Sequence, residues 1–200
     1  ASITNTATVL VSGESNSGNN SGTSVISVAP AGFPMLLSVV SRKQHNGVSY
    51  AMPVDFAQPV EGAVSIEPRS GAGGHTLVLH FNTAITSVTA QVSVTDANRN
   101  PVGSATASAV AGDVVVVLSG IPDRQRVILD VSGINGASTQ SFAMGFMRGD
   151  VNGSAAVGTP DVSGIKARSG QAVTSQNYLF DVNNSGTITA ADIVAAKARP

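Results

Sequence analysis

The feature of this sequence that most restricts its fold is a twelve-residue segment that occurs twice near the C-terminus. The first copy covers residues 150–161 and the second covers residues 181–192. In both copies, positions 1, 3, 5 and 12 carry side chains with oxygen atoms. A repeat of this kind indicates two copies of one supersecondary unit packed together. We therefore predict two loops, called loop one and loop two, followed by helices over 162–168 and 193–199.

The spacing of these oxygen-bearing residues matches the needs of a calcium ion. Ca²⁺ takes six to eight oxygen ligands, at about 2.3–2.6 Å, from a chain that curls around it. Positions 1, 3 and 5 of such a loop point inwards, position 7 contributes its backbone carbonyl, and position 12 closes the site. The predicted ligands are Asp150, Asn152, Ser154, the carbonyl of Ala156 and Asp161 in loop one, and Asp181, Asn183, Ser185, the carbonyl of Thr187 and Asp192 in loop two. Two bound calcium ions are expected.

The alternative is a pair of Asx turns that cap the two helices without a metal. That alternative explains an Asp or Thr before each helix, but it does not explain the shared spacing. Each loop has only two carboxylates, so we expect dissociation constants of about 10⁻⁴–10⁻³ M, as in extracellular calcium modules. Position 6 is Ala155 in loop one and Gly186 in loop two. A turn there favours glycine, so loop two should bind more tightly.

The region before the repeat is rich in strand patterns. From residue 35 to residue 147, short segments with alternating apolar residues are separated by turns that contain Gly and Asn. The longest of these predicted strands covers 85–95. The pattern predicts a mostly β chain with an antiparallel β-sandwich of immunoglobulin or fibronectin type III kind over 35–147. Residues 1–34 are predicted to form strands and a linker, and residues 148–200 a small all-α module.

Composition and charge exclude several functions. Only 12% of the residues are charged, against about 25% in an average chain, while 42% are hydrophobic. A net charge of −1 without a basic run argues against nucleic-acid binding. We find no apolar stretch long enough for a membrane helix. The absence of cysteine excludes disulfides and Cys-ligated zinc.

Candidate catalytic residues are few. The sequence has no Gly-x-Ser-x-Gly nucleophile motif and no phosphate-binding loop. His75 and His80 flank a predicted strand but fall on opposite faces, so they cannot share one metal without a bulge. We expect them at the surface or at a sheet edge, and His45, beside Asn46 and Gly47, is interpreted as part of a turn. Tyr50 and Tyr178, without any tryptophan, make a sugar-binding surface a poor fit. The sequence predicts no active site in this chain, and a catalytic domain would have to lie upstream of residue 1.

Residues 149–199 resemble a type I dockerin, in which two calcium loops are each followed by one helix. Residues 41–47 and 145–154 are also similar to a recurrent bacterial tail made of a sandwich and a dockerin. The resemblance implies a secreted or cell-surface bacterial protein that docks onto a cohesin domain in polysaccharide-degrading complexes.

The resemblance also implies which residues contact the partner. These are positions 10 and 11 of each loop and one lysine in each helix, namely Thr159, Pro160, Lys166, Ala190, Ala191 and Lys197. Family members often have a Ser-Thr pair at positions 10 and 11, and neither loop has one. An alternative function is therefore a calcium-stabilised end cap or stalk of a surface adhesin with no cohesin partner.

The sequence also predicts how the C-terminal module is built. The junction at 146–150 is too short for a flexible linker, so we expect the sandwich and the module to be in contact. The predicted core of the module is small and consists of Val151, Val157, Val162, Ile165, Tyr178, Leu179, Phe180, Ile188 and Ile193.

Overall fold

The structure is a computed structural model, which describes residues 2–8, 21–27, 33–89, 92–136 and 138–198. The chain divides into two compact units, Ala1–Phe33 and Pro34–Pro200. In the first unit, strand β1 (Ser2–Thr8) pairs with strand β2 (Ser21–Ser27) in an antiparallel two-stranded sheet.

The second unit begins with two β-sheets and ends with two short helices. The strands within its described residues are β3 (Leu36–His45), β4 (Val48–Val54), β5 (Ile66–Glu67), β6 (His75–Phe81), β7 (Val92–Thr95), β8 (Ser104–Val110), β9 (Asp113–Ser119), β10 (Gln125–Ile134) and β11 (Ser138–Phe146). One sheet has the order β4-β3-β6-β9-β8 and the other the order β5-β11-β10-β7. All neighbouring strands are antiparallel except β5 and β11. The prediction of a mostly β chain is confirmed.

Alternation along the strands explains why the two sheets pack together. In β9, Val114, Val116 and Leu118 are fully buried while Val117 is exposed on the opposite face. Successive side chains of a strand point to opposite faces, so one face of each sheet is apolar. Residues of both sheets form a single core, which includes Leu77, Leu79, Val127, Leu129, Phe142 and Met144.

The predicted strand at 85–95 is wrong over residues 85–89, and residues 90 and 91 lie outside the described residues. Within its described residues the range contains the strand β7, while Ile85 and Val88 form isolated bridges. The side chain of Asn135 explains the difference, because its Oδ1 accepts hydrogen bonds from the backbone nitrogens of Thr86 and Ser87, at 3.0 and 3.3 Å. A side chain therefore satisfies backbone groups that would otherwise need a partner strand.

The C-terminal module, residues 148–198, contains helix α1 (Thr159–Lys166), a 3₁₀ turn (Tyr178–Phe180) and helix α2 (Ala190–Lys197). Both helices begin three residues earlier than predicted, because groups of the loops cap them. At α2, the Thr189 hydroxyl accepts a hydrogen bond from the Ala191 nitrogen at 3.2 Å. None of the helices in the described residues is long and apolar enough to span a membrane.

The core of the module differs in part from the predicted one. Its buried residues are Ile165, Val182, Ile188 and Ala196. Tyr178 and Leu179 were predicted to belong to it, but they pack against the core of the two sheets. Sequence pattern shows that a side chain is apolar but not which of two adjacent cores it joins.

The placement of His75 also corrects the sequence analysis. This residue was expected at the surface or at a sheet edge, but it begins the central strand β6, only 4% of it is exposed and its Nδ1 has no hydrogen-bond partner. The turn at Gly71 lies against the His75 ring, and the centroid of this ring is 4.2 Å from that of Phe146. His80 is partly exposed and pairs with Asp113 at 2.8 Å.

Acid should destabilise the protein through His75. Burial, with a smaller contribution from the positive charge of Lys43, lowers the pKa of His75 from 6.5 to about 3. The unfolded chain then binds a proton that the folded chain does not, so stability is lost as pH falls from 6.5 towards 3. Between pH 7 and pH 5, we expect a loss of about 2 kcal/mol in the free energy of unfolding.

Urea unfolding of the native protein and of His75→Leu at both pH values would test this expectation. The substitution should remove that part of the pH dependence, and His80→Leu controls for the loss of a histidine from the same strand. An identical pH dependence in the native protein and His75→Leu would contradict it.

Candidate metal centre

The first carboxylate of each loop is held by backbone N–H groups of the same loop. In loop one, Asp150 accepts hydrogen bonds from the backbone nitrogens of positions 5 and 6, at 2.9 and 2.8 Å. In loop two, Asp181 accepts the same two bonds at 2.9 and 2.7 Å. Both carboxylates are buried. The two loops thus curl in the same way around position 1.

The last carboxylate of each loop closes the curl from the first turn of a helix. Asp161 accepts hydrogen bonds from the backbone nitrogens of positions 3 and 9 at 3.2 and 2.9 Å. Asp192 accepts the equivalent bonds at 3.0 and 2.8 Å. Both side chains are buried. Each helix therefore begins with a carboxylate that faces back into its own loop.

The remaining oxygens complete the arrangement. In both loops the side-chain oxygen of position 3 accepts from the nitrogen of position 5, at 2.9 and 3.0 Å, and the hydroxyl of position 5 donates to the carbonyl of position 7 at 3.0 Å. These residues are Asn152, Ser154 and Ala156 in loop one and Asn183, Ser185 and Thr187 in loop two. The structure thus connects all the predicted ligand positions of each loop in one hydrogen-bond network.

The backbone at position 6 is left-handed in both loops. Ala155 has φ +64° and Gly186 has φ +87°. A side chain with a Cβ is strained in this region, whereas glycine is not. The expected strain at Ala155 is therefore confirmed.

The carboxylates of the two loops differ in how easily they ionise. Burial, together with the negative charge of Asp161, raises the pKa of Asp150. Burial and the negative charge of Asp181 likewise raise the pKa of Asp192. Burial also opposes ionisation of Asp181, but hydrogen bonds from His45 and from loop two hold its pKa below the ordinary value.

The chemistry of the donor set fits a hard cation. In the described part of the chain, no three His, Cys, Asp or Glu side chains form a group that could hold a metal ion. Each loop supplies two carboxylates, and its other candidate ligands are amide, hydroxyl and carbonyl oxygens. Oxygen-only sets of this kind suit calcium, whereas zinc prefers histidine nitrogen and cysteine sulfur.

The side chains predicted to contact a partner are at the surface. Thr159, Pro160, Lys166, Ala190, Ala191 and Lys197 are all exposed. Thr159 and Lys197 line one groove between the start of α1 and the end of α2. Val194, which the sequence analysis did not single out, is 66% exposed and lies one helical turn from Ala190 on α2. Its position four residues after Ala190, on the same face of the helix, is the sequence signal that could have identified it.

Loop two is in contact with the β-sheets, and sequence reasoning missed the residue at the centre of this contact. His45 Nδ1 lies 2.8 Å from Asp181 Oδ2, and both side chains are fully buried. The backbone nitrogens of Asn46 and Ser70 donate to carbonyls of loop two, at 3.3 and 2.7 Å. His45 does flank the turn at Asn46 and Gly47, as predicted, but no local pattern could have linked its side chain to Asp181.

A buried ion pair lies next to His45. Arg69 donates from Nε and Nη2 to the two carboxylate oxygens of Glu67, at 2.7 Å each. Burial disfavours the charged form of Glu67, but Arg69 and Ser41 hold the pKa of this carboxyl below its ordinary value. Arg69 also donates to the carbonyls of Ser41 and Tyr50, at 2.9 and 3.0 Å.

Two tyrosines complete the contact between the sheets and the module. The rings of Tyr50 and Tyr178 are stacked, with centroids 5.5 Å apart. Each hydroxyl donates a hydrogen bond across the contact. Tyr50 of β4 donates to the Val173 carbonyl of the module, and Tyr178 of the module donates to the Ala51 carbonyl of β4, both at 3.1 Å. These are the two tyrosines of the chain, and their mutual stacking leaves their facing surfaces unavailable to a sugar ring.

Comparison with known proteins adds no relative to this picture. No protein-family model matches the chain, and the searches of curated proteins and of solved structures found no match. The case for a metal centre therefore depends on the geometry and chemistry of the two loops.

Proposed function

We propose that the C-terminal module is a calcium-dependent, non-catalytic docking module of dockerin type that follows an immunoglobulin-like β-sandwich. One observation carries the proposal. The two loops have identical residues only at positions 1, 2, 3, 5 and 12. Even so, each of these hydrogen bonds in loop one has an equivalent in loop two. Helix caps alone would not require the same arrangement at positions 3, 5 and 7, whereas a cation with several oxygen ligands would.

Each ligand group has a distinct part in this proposal. Asp150 and Asp161 would supply the negative charge in loop one, and Asp181 and Asp192 would supply it in loop two. The neutral oxygens of positions 3, 5 and 7 would complete each site. A bound cation would relieve the repulsion between each pair of carboxylates and would link the start of each loop to its helix.

The partner in this proposal is a cohesin-like domain of a secreted or cell-surface bacterial assembly that degrades polysaccharide. Its contact surface would be the outer face of the two helices. The exposure of all six predicted contact residues and of Val194 supports this surface. Its small side chains, Ala190 and Ala191, would permit close approach of a partner.

The alternative is a calcium-stabilised end cap of a surface adhesin. The contacts of loop two with the β-sheets favour it, because a stalk needs a rigidly attached end. Calcium-dependent binding of the full chain to immobilised cohesin domains would support docking. Calcium binding without such capture would support the end cap.

A calcium titration followed by ¹⁵N-HSQC spectra tests the calcium sites. The amides of Ala155 and Gly186 report on the two loops separately, because each donates to the first carboxylate of its own loop. We expect both signals to shift with midpoints of about 10⁻⁴–10⁻³ M. At a hundredfold excess over Kd, each bound ion should stabilise the fold by about 2.7 kcal/mol.

Asp161→Ala and Asp192→Ala are the matched controls for this titration. Each variant should abolish the response of its own loop and leave that of the other loop in place. Unchanged spectra in the native protein after calcium addition and after chelation would contradict the proposal.

A further inference from the structure

The hydrogen bonds around His45 define its tautomer. Its Nε2 lies 3.4 Å from Nη1 of Arg69 and its Nδ1 lies 2.8 Å from Oδ2 of Asp181. A guanidinium group can only donate hydrogen bonds, so Nε2 must accept. The hydrogen of the neutral ring is then on Nδ1, and His45 donates it to Asp181.

The β-sheets hold His45 firmly in this position. His45 is the last residue of β3 and pairs with Val48 across a turn, in which Asn46 and Gly47 have φ angles of +48° and +84°. The period of the strand turns Ser41, Lys43 and His45 to its buried face. Arg69, which contacts Nε2, is itself held by two bonds to Glu67. A continuous series of buried groups therefore connects the sheets to loop two.

This support distinguishes loop two from loop one. The hydrogen bonds that Asp150 accepts from the described residues come from loop one itself. Asp181 accepts the equivalent bonds and one more from His45. Its Oδ2 receives two donors, His45 and Gly186, while its Oδ1 receives the backbone nitrogen and the hydroxyl of Ser185.

We propose that His45 is a positioning residue for the metal site of loop two, which holds the Asp181 carboxylate in its ligating orientation before an ion binds. This proposal rests on calcium binding by the loops. Groups that hydrogen-bond to metal ligands fix the ligand geometry, and their loss typically lowers metal affinity by about 10–100-fold. The β-sheet part of the chain thus contributes to the affinity of loop two but not to that of loop one.

Two polar substitutions of His45 separate positioning from packing. The amide nitrogen of His45→Asn lies close to the place of Nδ1, so this variant can still donate to Asp181. The amide nitrogen of His45→Gln lies close to the place of Nε2, so it cannot. We expect the calcium Kd of loop two, read from the Gly186 amide, to rise about 10–100-fold in His45→Gln and about threefold or less in His45→Asn.

Loop one and a second interface variant provide the controls. The Kd of loop one, read from the Ala155 amide, should change by about twofold or less in both variants, since additive effects are the rule for separate sites. Tyr50→Phe removes the hydrogen bond to the Val173 carbonyl but keeps the ring beside His45 and every donor to Asp181, so it should change both constants by about twofold or less.

The outcomes distinguish this proposal from the one on which it rests. An unchanged loop-two Kd in His45→Gln, or equal losses in both loops, would overturn the positioning role while calcium binding stands. Equal losses in His45→Asn and His45→Gln would overturn it as well. A native protein whose two reporter amides both fail to respond to calcium would remove both proposals.

Discussion

Replacement of Arg69 by alanine is expected to lower the free energy of unfolding by about 3–5 kcal/mol, since it leaves a buried charge without its partner. The carboxylate of Glu67 is fully buried, and both of its oxygens accept hydrogen bonds from Arg69 at 2.7 Å. The same change removes donors from the carbonyls of Ser41 and Tyr50. The loss should therefore be among the largest that a single substitution can cause in this chain.

Arg99→Ala is the matched control for this prediction. Arg99 pairs with Asp130 at 3.1 Å, but its side chain is 53% exposed. Exposed ion pairs contribute about 1 kcal/mol or less. Urea unfolding at pH 7 with saturating calcium would compare the two variants with the native protein. Similar losses in both variants would show that the Glu67–Arg69 pair is not buried as the structure describes.

Substitution of Gly149 by alanine should lower the free energy of unfolding by about 2–5 kcal/mol. Gly149 has φ +90°, where a Cβ costs about 1–2 kcal/mol. A Cβ at this residue would also lie 2.5 Å from the Cβ of Ala196 and 2.6 Å from its Cα. The helix backbone cannot move away as a flexible side chain would, so overpacking adds about 1–3 kcal/mol.

Gly170→Ala separates these two contributions. Gly170 has φ +88°, and a Cβ there would meet no atom within 4 Å. Only the backbone strain of about 1–2 kcal/mol should then appear. Thermal unfolding of the two variants would measure the difference, which we attribute to contact with α2. Equal destabilisation by both substitutions would contradict the close approach of Gly149 to that helix.

The sheets illustrate how far the sequence predicts a fold. Strand patterns were predicted correctly where β9 and β10 form, because the two-residue period follows from backbone geometry. The same reasoning failed at 85–89, where the Asn135 side chain accepts hydrogen bonds from the backbone nitrogens of Thr86 and Ser87. Patterns report which residues are apolar, but they do not report how backbone groups find their hydrogen bonds.

The candidate site was likewise predictable in its local contacts but not in its remote ones. All ten predicted ligand positions lie within two segments of twelve residues, and the structure joins them by short-range hydrogen bonds. Their arrangement could be predicted because such contacts depend mainly on local chain geometry. His45 and Asp181 are 136 residues apart, so their contact depends on how β3 and loop two pack.

The sequence by itself determined the strand-rich character of this chain, the two repeated loops and the oxygen chemistry that they carry. The tertiary structure alone decided that His75 and Arg69 are buried, that Tyr178 and Leu179 join the core of the sheets, and that His45 adds a hydrogen bond to the Asp181 carboxylate of loop two. The physical reason is distance along the chain. Local hydrogen bonds follow from the order of neighbouring residues, whereas burial and remote pairing exist only after the sheets and the module have packed together.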